Sequence, residues 1–591
     1  MESYNFKDNG IKIALLIILF SASLILSIQS VDAADALPKL PPKINPKIDP
    51  GRIKQRLQSE EELTSPDAFK SGETLEQTAG SVSALPKSEE DAKFKLSEVA
   101  VSGVTVYKKG ELSQYYHSYL DKDVSLNDLQ DIANAITNRY RKDGYIISRA
   151  VVPAQDIVSG KVGIQVIEGY ISTVYIEGKA GKVQAKIEKY GEEIKKMRPL
   201  QGKKLERYLL ILSDIYGLEV KTVLSPAASA LGASELTIVI EQQRVSAIVN
   251  YDNRGSRYMG PNQVTASVIA SDVIFGADYF SVQTIDTPYT NELRYVQLNY
   301  NSPLGMNGLR INVDGGFTET KPGFFLKDYD LIGRGKDWGI KLEYPLLRTR
   351  TKNVWLYGKF DWLDTYTNFF VTSPMFKDHI RSARFGVSYD FIDAWRGTNL
   401  IGLDMSKGLH IFGASPLNPQ TSLTRDKGLS DYKKVNMNIS RYQSIGERFV
   451  LLASGIGQYS FSGNLLSAEE FSFGGPQFGR AYDPSEIVGD SGLAGKLELR
   501  ANTYPDWRLL KQIQYYTFYE AGVVWNNDEG FTQTSKDSAA DLGIGLRATF
   551  SDHFYGSMEL TKPLTRRVDA EVTAGDNPRA WRFYFSLGAR F

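Results

Sequence analysis

Four histidines, His117, His379, His410 and His553, are the imidazoles of a 591-residue chain, and they lie scattered, without metal-ligand spacing. Cysteine is absent, which removes thiolate metal sites, disulfides and a cysteine nucleophile. No glycine-rich loop runs into Lys-Ser or Lys-Thr, so nothing is set to cradle a nucleoside triphosphate, and Gly474-Gly475-Pro476 reads as a turn. No catalytic residue, cofactor or metal ligand is expected, and the chain does not read as an enzyme. The chemistry that remains is charge carried on alternating stretches. Lys496, Glu498 and Arg500 alternate with Leu497 and Leu499, and Glu520 shares a face with Phe518 and Gly522 while Tyr519, Ala521 and Val523 take the other. A wall with water on one side and lipid on the other needs that pattern.

The elements that must carry these residues fill the last three-fifths of the chain. From residue 243 to 591, stretches of about ten residues alternate with period two and are separated by Gly, Asn, Asp, Pro and Ser. Trp581, Phe583, Phe585, Leu587, Ala589 and Phe591 form one face of the last, against Arg582, Tyr584, Ser586, Gly588 and Arg590. A soluble sandwich would alternate too, but one of this length would split into domains, and no linker-like shift in composition interrupts it. One closed sheet of on the order of sixteen antiparallel strands fits better. Aromatic residues at 12% and 51 glycines suit such a barrel and its girdles.

Two small α+β modules precede the barrel. In residues 94–169, Ser125 with Asp128 announces a helix whose apolar face is Leu126, Leu129, Ile132, Ala133, Ile136 and Tyr140, and Gly144 stops it. Strands are expected at 145–152 and 162–167. Residues 170–242 repeat that order, with strands at 171–176, 219–224 and 235–241 and a helix at 203–216. Upstream, Lys7 and Lys12 precede an apolar run from Ile13 to Ile28 and then Val31-Asp32-Ala33, which reads as a cleavable secretory signal over 1–33, the alternative being a signal anchor. Residues 34–62 form a Pro-Lys tether ending in a short polar helix at 50–62, and 63–93 are a linker. Lys+Arg and Asp+Glu each total 69, so the basic excess of a nucleic-acid binder is missing.

Several motifs carry a family resemblance that runs nearly end to end. Asn138-Arg139-Tyr140-Arg141-Lys142-Asp143-Gly144-Tyr145 and Pro153-Ala154-Gln155-Asp156-Ile157 lie in the first module, Asn250-Tyr251-Asp252-Asn253-Arg254-Gly255-Ser256 opens the barrel, and Phe591 ends it. With these, the chain resembles the TpsB family, the outer-membrane transporters of two-partner secretion related to haemolysin activators and the filamentous haemagglutinin transporter. The resemblance implies a mainly β fold, a transmembrane barrel preceded by two POTRA (polypeptide-transport-associated) domains. It also implies that Phe478-Gly479-Arg480-Ala481-Tyr482 is the tip of a long loop folded into the lumen, whose arginine pairs with the carboxylate of Phe518-Tyr519-Glu520-Ala521-Gly522. The chain departs from the family pattern in two places: glycine precedes Arg480 and Ala481 follows it, and Glu520 stands where Asp is usual.

An arginine delivered by a loop can bind such a carboxylate bidentately, orienting the loop more than stabilising it; the plain alternative is that Arg480 caps a surface loop. The 50–62 helix loosely matches the family's plug helix. The implied partners are a large secreted exoprotein, outer-membrane lipid and, through Phe591, the barrel-assembly machinery, with the modules meeting the exoprotein by sheet-edge addition in the periplasm. A barrel-assembly or insertase protein of the same superfamily is the alternative, with a passive porin or solute receptor behind it.

Overall fold

A computed structural model describes residues 46–53 and 93–591, except 229, 370–372, 417–422, 426 and 528–534. The expected signal, the tether up to 45 and most of the 50–62 helix and the linker lie outside the described residues.

The first module contains β1 (Phe94–Lys95), β2 (Glu98–Ser102), β3 (Asp123–Val124), α1 (Leu126–Lys142), β4 (Arg149–Val151) and β5 (Lys161–Ile167). Its sheet runs β2-β5-β4, with β2 parallel and β4 antiparallel to β5. α1 starts where Ser125 and Asp128 exchange side-chain and backbone bonds: Asp128 N–H donates to Ser125 Oγ at 3.3 Å and Ser125 N–H to Asp128 Oδ2 at 2.8 Å. Leu129, Ile132, Ala133, Ile136 and Tyr140 are buried against the sheet, while Leu126, at the helix start, is exposed. The strand expected over 145–152 shrinks to Arg149–Val151. Gly144 (φ +98°) turns the chain, Ser148 N–H closes a turn on the Tyr145 carbonyl, and the Tyr145 ring packs edge-on against Tyr140.

Glu168 ties this module together at its exit. Its carboxylate accepts from the backbone N–H groups of Thr105 and Val106 (2.8 and 3.1 Å), the Tyr140 hydroxyl (2.8 Å) and the Thr105 hydroxyl. Burial alone would raise its pKa; the Thr105, Tyr140 and Val106 bonds together outweigh that and hold it below the ordinary glutamate value.

The second module repeats the plan with β6 (Tyr170–Glu177), α2 (Gln184–Lys195), α3 (Gly202–Ser213), β7 (Leu218–Pro226) and β8 (Ala233–Gln242), in sheet order β6-β8-β7. It is fused to the barrel rim. Ala277 and Met306, from two barrel turns, join its core of Ile187, Tyr190, Ile211 and Leu212. Arg348 grips Asp214 with two bonds of 3.0 and 2.7 Å, and the Tyr190 hydroxyl donates to the Met306 carbonyl at 2.9 Å.

The barrel strands are β9 (Val245–Asp252), β10 (Gln263–Ser271), β11 (Tyr279–Asp286), β12 (Leu293–Leu304), β13 (Leu309–Thr320), β14 (Ile332–Arg348), β15 (Lys352–Phe369), β16 (Ser373–Ile392), β17 (Thr398–Gly408), β18 (Lys433–Ile445) and β19 (Phe449–Ser460). A short hairpin, β20 (Phe471–Phe473) and β21 (Ile487–Gly489), follows inside. The wall resumes with β22 (Ser491–Thr503), β23 (Gln512–Trp525), β24 (Lys536–Thr549), β25 (Phe554–Pro563) and β26 (Arg582–Arg590). Sixteen strands close into one antiparallel barrel, β26 pairing β9 from Ser586↔Asp252 to Arg590↔Ile248.

Alternation sorts the two faces. Leu497, Leu499, Tyr519, Phe583 and Leu587 are exposed on the outside, whereas Glu498, Glu520 and Tyr584 are buried in the bore. Closure leaves no strand edge unpaired, which is what lets a sheet stand in hydrocarbon. Among the described residues, no helix is long and apolar enough to cross a membrane.

Candidate functional site: a loop arginine in the lumen

The connection from β19 to β22 does not stay outside; it folds into the bore as the β20–β21 hairpin. Phe471, Phe473, Phe478, Tyr482 and Ile487 pack there against Ala494, Val524, Ala539 and Val568. Strand glycines make the room. A Cβ on Gly522 would stand 2.3 Å from the Phe473 ring, and one on Gly492 would stand 2.0 Å from Phe471. Gly522 is therefore a socket for the hairpin.

Arg480 sits at the tip, 5% exposed. Its Nε donates to Glu520 Oε1 at 2.8 Å and its Nη1 to Glu559 Oε2 at 3.1 Å, while Nη2 lies 2.9 Å from Glu498 Oε2. The other oxygen of Glu520 accepts the N–H groups of Gly479 (2.6 Å) and Arg480 (3.0 Å). The Phe518 ring lies under the guanidinium, 3.3 Å from centroid to Cζ. The expected bidentate pair is thus corrected: each guanidinium nitrogen goes to a different strand, and Glu520 divides its two oxygens between side chain and backbone. A charge this buried is tolerated because three carboxylates answer it.

Glycine preceding the arginine also has a reason. Gly479 takes φ +87°, where a Cβ would meet Phe473 at 2.7 Å and the Gly474 backbone at 2.8 Å. Ala481 has no left-handed backbone; its N–H donates to Asp541 Oδ2 at 3.2 Å, and Tyr482 anchors the turn by donating its hydroxyl to the Ala540 carbonyl at 2.9 Å.

Glu498 was legible only as an inward charge, and Glu559, Asp541, Arg254 and Arg582 had no place in the expected site. Arg254, from the barrel-opening motif, donates to the second oxygen of Glu559 at 3.2 Å. Arg547 and Arg500 donate to Glu498 Oε1 at 3.0 and 2.7 Å. Arg582 holds the hairpin through the Ala481 carbonyl (3.0 Å) and Asp483 (2.6 Å). Inward alternation flags those on strands, though not Arg254, which follows β9, and only closure of the barrel brings them to one point. Phe591 lies away from this centre. Its backbone exchanges two bonds with Ala247 beside the seam (2.8 and 3.0 Å), and its ring stacks on His553.

Residues 46–53 lie in the same bore. Ile48 and Ile53 pack among Tyr258, Leu293, Tyr295, Leu331 and Phe376 of the wall and its far-side loops. Lys47 pairs with Glu486 at 2.8 Å, and Arg52 with Glu470 at 2.8 Å and Ser467 Oγ at 3.1 Å, all on the loop that carries the hairpin. Pro46–Ile48, a 3₁₀ turn, begins this segment ahead of the expected helix start at 50. Among the described residues, no group of His, Asp and Glu is arranged to hold a metal ion.

This architecture has relatives. Residues 94–169 match the POTRA domain of ShlB type, and residues 232–548 match the haemolysin secretion/activation protein ShlB/FhaC/HecB family. The chain belongs to the ShlB/FhaC/HecB family. The heme/hemopexin transporter protein HuxB of Haemophilus influenzae strain 86-028NP is 22% identical, the alignment covering 90% of this chain and 94% of HuxB. The outer membrane transporter CdiB of Dickeya dadantii is 20% identical over 74% of this chain and 77% of its own length. The solved structure of CdiB from Escherichia coli superposes with a TM-score of 0.73 at 19% identity, covering 92% of this chain and 99% of that one. As a ShlB/FhaC/HecB protein, the chain is an outer-membrane translocator of two-partner secretion, its POTRA domains in the periplasm and its barrel in the membrane. It acts with a secreted exoprotein partner.

Proposed function

We propose that the bore is the conduit for the exoprotein, that residues 46–53 occupy it at rest, and that the Arg480 hairpin holds the lumen in its working shape. One observation carries this reading: Lys47 and Arg52 reach buried carboxylates of the very loop whose tip presents Arg480. An unfolded amino-terminal region of the partner docks on the modules by adding to a sheet edge, where backbone bonds supply affinity. It then displaces the segment, and folding outside biases net movement. Arg480 and Glu520 are positioning residues, and the chain itself carries out no covalent step.

The partner is read as a large exoprotein. HuxB is named for heme and hemopexin, and cargo of that kind is one class this chain could serve. Outer-membrane lipid surrounds the barrel, and the terminal Phe591, displayed at the seam, is the signal read by the assembly machinery. Nucleic acid has no place here, given the zero net charge. The test is deletion: a specific exoprotein should accumulate in the periplasm while other barrels assemble normally. General loss of outer-membrane proteins would instead favour an insertase.

A further inference from the structure

We infer that the outer wall over β13–β16 carries a built site for a phosphate-bearing lipid of the outer leaflet. These strands are long: β14, β15 and β16 have 17, 18 and 20 residues, where a tilted strand needs about 9–11 to cross the hydrocarbon. Along the outside of β14, Leu346, Leu342, Ile340 and Trp338 are exposed apolar residues, after which Lys336 and Arg334 follow at the end far from the modules. The change from apolar to cationic side chains therefore falls at the outer headgroup level.

Three features make this more than a girdle. Trp338, Trp362 and Phe412 form a continuous stack, with centroids 5.5 and 6.2 Å apart and planes within 24° and 23°. Phe412 reaches it from a bulge at 410–414 just after β17: Leu409 N–H donates to the Arg381 carbonyl at 2.7 Å and Ser415 N–H to the His379 carbonyl at 2.9 Å, so the chain leaves and rejoins β16 on either side of Phe412. Beside this bulge Arg381 is buried, its guanidinium 3.4 Å from the Trp362 ring centre and 2.8 Å from Asp364. Beside Trp338, Gly315 leaves a dent, since a Cβ there would meet nothing nearer than a backbone oxygen at 3.7 Å, with exposed Leu298 on its other side.

Charge identifies the occupant. One row above the stack Lys336 stands across from Asp364, and one row further Arg334 and Lys377 flank Tyr366. Asp364 is taken by Arg381, His379 and Trp362, and Arg334 shares Glu319 at 3.1 Å. Among the described residues, no carboxylate pairs with Lys336 or Lys377. Arg334, Lys336, Lys377 and Arg381 thus face Glu319 and Asp364 with net positive charge. An anionic phosphate fits between the two lysines, its sugar or glycerol on the Trp338–Trp362–Phe412 ledge and an acyl chain in the Gly315 dent.

Native mass spectrometry of the full-length protein in detergent tests this, with lipid A as the probe and its dephosphorylated form as the comparison. The intact lipid is expected to remain bound as one adduct at least tenfold more than the dephosphorylated one, and Lys336→Gln with Lys377→Gln is expected to remove that preference. Lys511→Gln with Lys562→Gln, which removes the same charge elsewhere, should keep it. A heat-modifiable gel shift verifies that each variant is folded. Equal retention of the two lipids, or a preference unchanged in the Lys336/Lys377 variant, would overturn the assignment.

Discussion

Glu520 Oε1 takes the Arg480 side chain at 2.8 Å, while Oε2 takes the backbone N–H groups of Gly479 and Arg480 at 2.6 and 3.0 Å, so one carboxylate fixes both the guanidinium and the turn that delivers it. Loop tip and strand wall are joined by three bonds to a single side chain.

Removing the arginine should therefore unmake the loop and spare the wall. Arg480→Ala leaves Glu498, Glu520 and Glu559 without their shared cation, a loss of about 3–5 kcal/mol borne by the hairpin. Export is expected to fall at least tenfold with the barrel still inserted and heat-modifiable. Arg480→Lys should not restore it, because an ammonium cannot reach three carboxylates from a stacked plane. Secreted and cell-associated partner, measured beside the folded barrel band, provide the readout.

Shortening the carboxylate separates its two jobs. In Glu520→Asp the side chain cannot serve both the guanidinium and the Gly479–Arg480 backbone at their present positions, and several-fold lower export is expected. Glu520→Ala should do more damage. Equal export by the Asp variant would mean the two backbone bonds contribute nothing.

The Gly522 socket predicts a suppressor. Gly522→Ala places a methyl 2.3 Å from the Phe473 ring and should displace the hairpin. Phe473→Leu added to it should recover most of the lost export, although Phe473→Leu alone leaves a void costing about 1 kcal/mol. Limited proteolysis of the 461–490 loop in intact cells follows the displacement directly.

Much of this centre could be read before the fold was known, and the limit is set by geometry. Phe518, Glu520 and Gly522 alternate within one strand, so their common inward face follows from period two. The last strand was plain for the same reason, and the α1 boundary followed from Ser125 and Asp128, three residues apart. Glu498 lies on the strand beside the Glu520 strand and Glu559 two strands away on the other side, yet only register within a closed sheet turns them toward Arg480. Residues 145–148 looked like strand because tyrosine and isoleucine favour it, but the turn after Gly144 wins. Lys47 and Arg52 gave no signal, since their partners Glu486 and Glu470 are more than four hundred residues away.

Acid should loosen the first module. Glu168 has a folded pKa below the ordinary 4.5, so its contribution is complete above that value and is lost as pH falls through the lower folded one. The protection of the residue 103–107 amides in the intact protein, taken as their exchange rate relative to the intrinsic rate at the same pH, should fall on moving from pH 6 to below about pH 4. Glu168→Gln should be weakly protected at both and lose the pH dependence of protection.

Gly51 offers the most direct test of whether the bore is a conduit closed at rest by residues 46–53. A Cβ on Gly51 would stand 2.8 Å from Ala468 Cβ, closer than the about 3.5–4.5 Å of a disulfide, so a separation of about 1 Å brings the pair into range, and the chain has no other cysteine to interfere. Gly51→Cys with Ala468→Cys, oxidised in the outer membrane, should block export of the partner, and reduction should restore it. Undiminished export through a fully formed cross-link would contradict the conduit and its resting occupant together.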